Sequence, residues 1–551
     1  MKKSLENQPQ CPRRRFDYVI GNPPYISYNE CAKQKVLIFE LMKQRKAKLS
    51  DIYGVNLHSV PGNPKRYRPN PNLYAFFVSL GLALLKDGGK LSYIVPQTFL
   101  INPDYDVLRY HLVKYVTIEK IIIFSGQMFI GRGLRQNKPI ATSSLVFVVR
   151  REAPSPSNEI EVTYYKKSED DIEVCLKNIL KKKNLNVNRV KQQDLLVSVN
   201  NWNFIKYGKQ FQEFYKEYKK RNEDIAIYYD HILAKQYFKS KFYFDGGYQF
   251  DERLANLSKK GKDDYEVLDF PDKGYLIKGN KGFWPNQRDK KDKYFIKLRQ
   301  ANQGYSLVDS TYKVIWPYLR DIRFAFSDKP VIWSRRTTNT FYGIGSENKE
   351  ELFYLLALLN SLITQKIINS FRLDNESKRG ILVSTSLLKK EIRVPSINQN
   401  NLHIKKRIIQ ATAELIELER NNLCNLVDFS GVLKQRFDKV QVSGNKLVLE
   451  KDGEKIELQI KKDPSLVSKV IEENFGQDGL GLENKTITLS ELTSLPVIDF
   501  EKQKALKDLI DDLVFCLYFN IDVPKNKVKN AKFVKNLCQK NKFYRQVNEK
   551  D

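Results

Sequence analysis

The spacing of apolar positions changes repeatedly over the first 150 residues. Phe16-Asp-Tyr-Val-Ile20 is a short apolar run that feeds Gly21-Asn-Pro-Pro-Tyr25, which predicts a strand ending in a rigid turn. Asn72 to Leu85 carries apolar residues at helical spacing, and Asp87-Gly-Gly89 is expected to stop that helix. Leu91 to Val95 reads as the next strand, with Pro96 just beyond it. Tyr105 to Tyr115 reads as a helix, and Ile118 to Phe124 and Ser144 to Val149 as two more strands. Strand–helix–strand alternation of this kind predicts an α/β sheet with crossover helices.

Beyond Arg150 the texture changes. Arg151-Glu-Ala-Pro-Ser-Pro-Ser-Asn158 reads as a linker and predicts a domain boundary. A charged, partly helical connector is expected over 151–235. From 236 to 396 short strand-like runs interleave aromatic, glycine and basic residues around an apolar helix, Glu350 to Ser370. The last region, 397–551, predicts amphipathic helices at Leu402–Leu423 and Ala505–Leu517. Lys446 to Lys461 alternates around Asp452-Gly453, a hairpin signal, and the lysine-rich tail after Pro524 reads as a solvated end.

Composition narrows the partners. With 551 residues, 41% hydrophobic and 12% aromatic, the chain can bury several cores, which excludes a wholly disordered protein. Lys+Arg 94 against Asp+Glu 64 gives a net charge of +30, so a polyanion is the expected partner, nucleic acid first. Six scattered cysteines without a C-x-x-C pair and four isolated histidines predict neither a disulfide framework nor a metal site. The first ten residues lack an apolar core, and Leu352 to Ile363 is short and interrupted by Asn360. A cytoplasmic protein with no membrane span is expected.

Asn22-Pro23-Pro24-Tyr25 carries the chemistry. Two prolines after a strand fix the backbone and remove amide donors, so the Asn22 side-chain oxygen and the Pro23 carbonyl stand as acceptors at a strand's carboxyl end, where open α/β sheets bind ligands. Two acceptors side by side suit an exocyclic amino group with its two N–H donors, and Tyr25 adds a face on which a planar ring can stack. Hydrogen bonds out of the ring plane push such a nitrogen towards tetrahedral geometry and localise its lone pair for attack on a methyl group.

The segment resembles the S-adenosylmethionine-dependent N6-adenine DNA methyltransferases of restriction–modification systems, especially the TaqI-like branch. Asn72-Leu-Tyr-Ala-Phe-Phe77, Leu84 to Gly89 and Leu91 to Pro96 look like that family's next motif block. Ile118 to Phe129 with Ala141 to Phe147 looks like its last catalytic block. The resemblance implies that residues 1–150 form the C-terminal half of a Rossmann-like methyltransferase sheet. A mixed α/β, TaqI-like target-recognition domain over 236–396 and a helical C-terminal region would follow. It assigns Asn22 and Pro23 to the target amino group, Tyr25 and Phe129 to stacking on a flipped adenine, and Phe77 with Asn22 to the methyl donor. Flipping is needed because the amino nitrogen is inaccessible inside the duplex. Duplex DNA is the implied partner, and a cognate restriction endonuclease belongs to such systems.

Arg132, Arg135 and Lys138 lie beside the expected pocket and suit phosphates. Arg320, Arg323, Arg335 and Arg336 mix with aromatic and small polar residues in a pattern suited to base edges. The family places its Gly-rich donor loop ahead of the turn, and only about twenty residues precede it here. Gly476 to Gly481 follows a helix-like stretch and reads as an ordinary loop. The expectation is therefore a methyltransferase portion whose donor-binding half is a separate polypeptide, or a truncated product. Two alternatives stand beside it: methylation of another amide or amino nitrogen in RNA or protein, and a DNA-binding specificity fragment without catalysis. Asp452, Glu457 and Lys461 echo a nuclease pattern, and a polar hairpin accounts for them.

Overall fold

Apolar side chains on the inner strands and a turn chemistry of Gly and Pro at their ends build the larger sheet of the molecule. The computed structural model describes residues 15–25, 72–102, 105–127, 143–165, 172–183, 185–198, 201–224, 242–246, 264–267, 295–297, 299–317, 323–333, 341–372, 383–476 and 487–548. Two compact units emerge, residues 1–221 with 366–382, and residues 222–365 with 383–551.

The first unit holds β1 (Phe16–Gly21), α1 (Leu73–Leu84), β2 (Leu85–Pro96), α2 (Asp106–Tyr115), β3 (Thr117–Gln127), β4 (Ser143–Arg150), β5 (Glu159–Tyr165), α3 (Ile172–Leu180), β6 (Leu185–Lys191) and α4 (Lys209–Arg221). Six strands line up in the order β1-β2-β4-β3-β5-β6. β1 runs parallel to β2 and β3 to β5, whereas β4 and β6 run antiparallel to their neighbours. On β2 the side chains of Leu91, Tyr93 and Val95 are buried and those between them are half-buried, the covered pattern of an inner strand.

Two expectations change here. The helix before β2 ends at Leu84, and Asp87-Gly-Gly89 lies inside the strand. Gly88 and Gly89 exchange backbone hydrogen bonds with Arg151 (both 2.9 Å). A Cβ on Gly89 would come within 3.0 Å of the Phe16 carbonyl oxygen, so this glycine serves close strand approach, whereas Gly88 supplies a positive φ of 79°. The Pro/Ser stretch 151–158 is a turn within one sheet and not a domain boundary, because β5 follows it and pairs with β3. Polar Pro/Ser composition marks any exposed turn, whether it joins domains or strands. Asn158 closes this turn onto the sheet through the Ile118 carbonyl (3.0 Å) and the Gln192 side chain (2.7 Å).

The second unit centres on a sheet of β7 (Tyr243–Asp245), β8 (Tyr312–Pro317), β9 (Ala325–Ser327) and β10 (Phe341–Ser346), all antiparallel in the order β9-β8-β10-β7. Gly343 and Gly345 on β10 make room for Trp333 and Leu307, to which a Cβ would come within 2.7 and 2.6 Å. The apolar stretch expected as one helix is two, α5 (Lys349–Asn360) and α6 (Leu362–Asn369), bent by 54° at Ser361. Asn360 explains its place in the apolar run: its side chain accepts from Phe324 N (3.1 Å) and donates to Phe324 O (2.8 Å). No single helix among the described residues is long and apolar enough to cross a membrane.

Helix α7 (Leu402–Glu419) packs against α5 and joins it through a buried ion pair, Lys405 Nζ to Glu351 Oε2 at 2.6 Å. Removing one partner leaves the other charge buried, with the Lys405–Tyr354 ring contact at 4.6 Å as partial compensation. Glu351→Ala is expected to cost about 3–5 kcal/mol of stability, and the double replacement Glu351→Leu with Lys405→Met to recover most of it, both read by urea denaturation of the full chain.

Between α7 and a second long helix, α9 (Phe500–Tyr518), sits an inserted module. It comprises the three-stranded sheet β11 (Lys439–Ser443), β12 (Lys446–Lys451) and β13 (Glu454–Gln459), followed by α8 (Pro464–Phe475). The hairpin turn falls at Asp452-Gly453, both at positive φ (52° and 81°), as expected. Leu423, Leu447, Leu449, Val467 and Leu492 share a core of their own. Backbone bonds from Leu423 N to Leu495 O and from Val497 N to Asn421 O, both 2.9 Å, close the neck. Glu457 pairs with Lys446 and Lys461 with Asp428, so the nuclease echo resolves into surface ion pairs.

The tail after Pro524 is not merely solvated. It forms α10 (Ala531–Gln539) and α11 (Tyr544–Asn548), which bury Val534, Cys538, Phe543 and Val547. Their sparse apolar residues recur at helical spacing, which the surrounding lysines mask in the sequence.

Candidate active site

β1 delivers the Asn-Pro-Pro-Tyr turn to the carboxyl rim of the sheet. Gly21 pairs with Tyr93 of β2, and a Cβ there would lie 3.1 Å from the Tyr93 ring. Past it, Pro23 is buried, Asn22 and Pro24 are exposed, and Tyr25 is half-buried. The buried proline holds the turn while Asn22 stays exposed, in a stretch whose prolines offer no amide hydrogen.

Tyr25 is fixed at both ends. Its hydroxyl donates to the Ile94 carbonyl on β2 at 3.1 Å, and its ring meets Tyr74 nearly perpendicularly (6.1 Å between centroids, 80°). Burial pushes the phenol up to about 12, against the opposing pull of a hydrogen bond with Ser144, so the hydroxyl is a donor at neutral pH.

A wall of aromatic and polar side chains backs this rim. Tyr74, in the first turn of α1, and Tyr105, just before α2, are both fully buried, with ring centroids 5.1 Å apart. The Tyr105 hydroxyl accepts from Asn72 N at 3.2 Å, which pins the start of α1. Buried Arg109 donates from Nη1 to the carbonyls of Phe99 (2.7 Å) and Asn102 (3.0 Å), shaping the turn that follows β2. Gln97 Nε2 donates to Phe124 O (2.5 Å) and lies 3.5 Å from Ser144 O, tying β3 and β4 to the end of β2 at the same rim. None of Tyr74, Tyr105, Arg109 or Gln97 was expected from sequence. A lone arginine amid the apolar spacing of Tyr105–Tyr115 is the one signal that pointed there. His111, also on α2, is buried and pushed down to about 4 by that burial, hence neutral.

Of the expected donor-side residues, Phe77 lies one helical turn beyond Tyr74 on α1 and is half-buried. Phe129, Arg132, Arg135 and Lys138 lie outside the described residues, as do Arg320, Arg335 and Arg336. Arg323 is described in the second unit and is half-buried. Trp316 and Trp333, which flank these arginines, are fully buried and donate to Val383 O (2.8 Å) and Phe341 O (3.0 Å). They belong to the core and offer no exposed face to a base. Gly343 and Gly345 are packed strand residues. Among the described residues no cluster of His, Cys, Asp or Glu could hold a metal ion.

The site thus offers an exposed asparagine and an anchored aromatic ring at one sheet rim, with a half-buried apolar ring, Phe77, one turn beyond Tyr74 on α1. Residues 3–129 match the Eco57I restriction-modification methylase family. Over 121 residues the chain is 31% identical to the Type II methyltransferase M.TthHB8I of Thermus thermophilus, covering 22% of this chain and 24% of that protein. Over 115 residues it is 27% identical to the Type II methyltransferase M.BsuBI of Bacillus subtilis, covering 21% and 18%. The match therefore spans about a quarter or less of the length of these relatives. Among solved structures, the Type IIL restriction-modification enzyme MmeI in complex with DNA aligns with 96% of this chain and 57% of its own, at 11% identity and a TM-score of 0.43. The type IIG restriction endonuclease BpuSI aligns with 92% and 54%, at 16% identity and a TM-score of 0.30. The segment that contains the Asn22 turn, α1 and β2 is accordingly similar to the methyltransferases of restriction–modification systems.

Proposed function

We propose that this chain methylates the N6 amino group of adenine at a specific site in duplex DNA, as the modification component of a restriction–modification system of the TaqI-like branch. The observation that carries the reading is the Asn22 carboxamide, exposed at the end of β1, beside a Tyr25 ring held by Ile94 and Tyr74. A flipped adenine stacks on Tyr25, with Phe129 as the second ring. Its amino group donates one N–H to the Asn22 oxygen and the other to the Pro23 carbonyl. These bonds strengthen as the nitrogen becomes tetrahedral, so they lower the barrier more than they tighten binding. The Asn22 carboxamide is not basic, so it orients the amino protons, and the proton that the methylated nitrogen sheds would pass to solvent. S-adenosylmethionine supplies the electrophilic methyl group when bound, with Phe77 and Asn22 as the residues of this chain that hold it.

A separate polypeptide carrying further donor contacts is a proposed partner, and the edge strand β1 is its proposed docking place. Phe16, Tyr18 and Ile20 on this edge strand are 48%, 69% and 79% exposed. The opposite edge, β6, exposes the polar Asn186, Arg189 and Lys191 beside one apolar residue, Val187 (58%), so polar residues predominate there. The chain of 551 residues alone is expected to bind S-adenosylmethionine no tighter than about millimolar. Calorimetric titration giving micromolar affinity would overturn the need for that partner.

Duplex DNA and a cognate endonuclease are the proposed partners, in the cytoplasm. Arg132, Arg135 and Lys138 are assigned to phosphates near the flipped base, and Arg320, Arg323, Arg335 and Arg336 to the recognition surface. Binding to duplex DNA is expected to fall steeply with salt, since counterion release by a chain of net charge +30 drives it. Arg335→Ala with Arg336→Ala should weaken it or blur its sequence preference in a competition binding assay. Salt-independent binding would leave the positive charge as a solubility feature.

A further inference from the structure

The aromatic wall behind Tyr25 assigns a role to two residues that touch neither base nor donor. We infer that Tyr74, backed by Tyr105, is a positioning residue for the Tyr25 ring, and that this clamp sets the affinity for a planar base; the inference rests on the base-stacking role proposed for Tyr25.

A tyrosine at the end of a turn rotates about two side-chain torsions, and stacking must fix both. Tyr25 has both fixed before any base arrives. The hydroxyl is tethered to Ile94 O at 3.1 Å, and the ring is braced by Tyr74 at 80°. Whichever ring points its edge at the other, a near-perpendicular pair leaves at least one Tyr25 face clear of Tyr74, and the residue is half-buried rather than enclosed. A brace must itself be rigid. Tyr74 is fully buried, and Tyr105 packs on it at 5.1 Å. The Tyr105 ring continues to Phe99 (6.1 Å), which stacks on Phe147 of β4 at 5.5 Å and 8°. The Tyr105 hydroxyl meanwhile holds Asn72 N, so the turn of α1 that carries Tyr74 is fixed from the same residue. The file runs from the sheet core to the stacking ring without a gap. Tyr74 also precedes Phe77 by one turn, so the wall that orients the base ring and the ring assigned to the donor share one helix.

The test uses the full chain and the fluorescent nucleoside 2-aminopurine deoxyriboside, which needs neither the recognised sequence nor the methyl donor. Stacking on Tyr25 should quench its fluorescence saturably, and Tyr25→Ala should abolish the quenching. Tyr74→Leu removes the brace and should weaken affinity about 5- to 20-fold, whereas Tyr74→Phe keeps the ring and should stay within twofold. Tyr105→Phe keeps both rings and frees Asn72, and an intermediate loss is expected. 3-Fluorotyrosine placed at position 25 gives a second readout by fluorine NMR: Tyr74→Leu should average its signal towards that of a freely rotating ring, and Tyr74→Phe should not. If parental chain and Tyr25→Ala behave alike, the base-stacking reading fails. If Tyr25→Ala loses quenching while Tyr74→Leu retains parental affinity and fluorine signal, the stacking role stands and the clamp is refuted. Equal losses in Tyr74→Phe and Tyr74→Leu would refute it too, because the hydroxyl rather than the ring would then matter. Should Tyr74→Leu fail to fold by circular dichroism, Tyr105→Phe decides, and parental affinity there overturns the clamp.

Discussion

Asn22→Ala is expected to lower adenine methylation roughly 30- to 1,000-fold while leaving DNA affinity within about twofold. The change removes one outward acceptor from a turn whose backbone is set by Pro23 and Pro24, so the loop itself should persist. Pro23 remains buried and Tyr25 remains tied to Ile94. What disappears is an interaction worth more to the tetrahedral amino nitrogen than to the planar one. Removing one oriented group of that kind from an active site costs on the order of 2–4 kcal/mol of barrier, which is the stated range of rates. Asn22→Asp separates geometry from charge, since it keeps the acceptor and adds a negative charge that also attracts the amino protons. It should retain more activity than alanine. The readout is 6-methyladenine measured by mass spectrometry in host DNA, with the proposed donor-binding partner co-expressed, alongside DNA affinity of the purified chain. Parental methylation in Asn22→Ala would show that the turn only ends a strand, and the chemistry assigned to it would be wrong.

The site was legible where its residues are neighbours in the chain. Asn22 and Tyr25 sit within one turn, and the apolar runs of β1, β2, α1 and α2 have periods that name their element type. What could not be read is what folding alone brings together. Tyr25, Tyr74 and Tyr105 lie on three separate segments, and nothing in the local pattern around any of them pairs them. Strands β5 and β6 belong to the same sheet as β1 because β5 pairs with β3 across the 151–158 turn, a non-local choice that composition does not encode. Trp316 and Trp333 lie among the arginines expected to read base edges, and the backbone carbonyls of Val383 and Phe341 hold both rings in the core. Buried polar residues were the least legible. Arg109 and Gln192 are fully buried, and a single sequence gives a buried glutamine no mark that distinguishes it from a surface one.

Gln192 carries the second large effect. Its carboxamide sits at the end of β6 and is 1% exposed. Its oxygen accepts from Ile118 N (2.8 Å) and Asn158 Nδ2 (2.7 Å), and its nitrogen donates to the carbonyls of Val113 and Val116 (both 2.8 Å). One side chain thus satisfies the end of α2, the start of β3 and the 151–158 turn. Gln192→Ala strands these groups around a small cavity. At about 1–3 kcal/mol for each unsatisfied buried group, and with losses that do not add fully, a total on the order of 3–6 kcal/mol is expected. That rivals the whole stability of a domain, commonly about 5–15 kcal/mol, so the first unit should unfold at markedly lower urea concentration. Gln192→Glu tests the hydrogen-bond pattern rather than the volume. An ionised carboxylate would face two carbonyl oxygens in a buried site, which raises its folded pKa above the unfolded value of about 4.3. The protonated form, which can still donate, is favoured in the folded state. Its stability is therefore fullest below about pH 4 and is lost as pH rises through the raised folded value. Gln192→Glu should accordingly lose stability relative to the parent between pH 4 and pH 7, and Gln192→Ala should show no such trend. A Gln192→Ala protein within about 0.5 kcal/mol of the parent in urea would mean that the carboxamide is not what holds α2, β3 and the turn together.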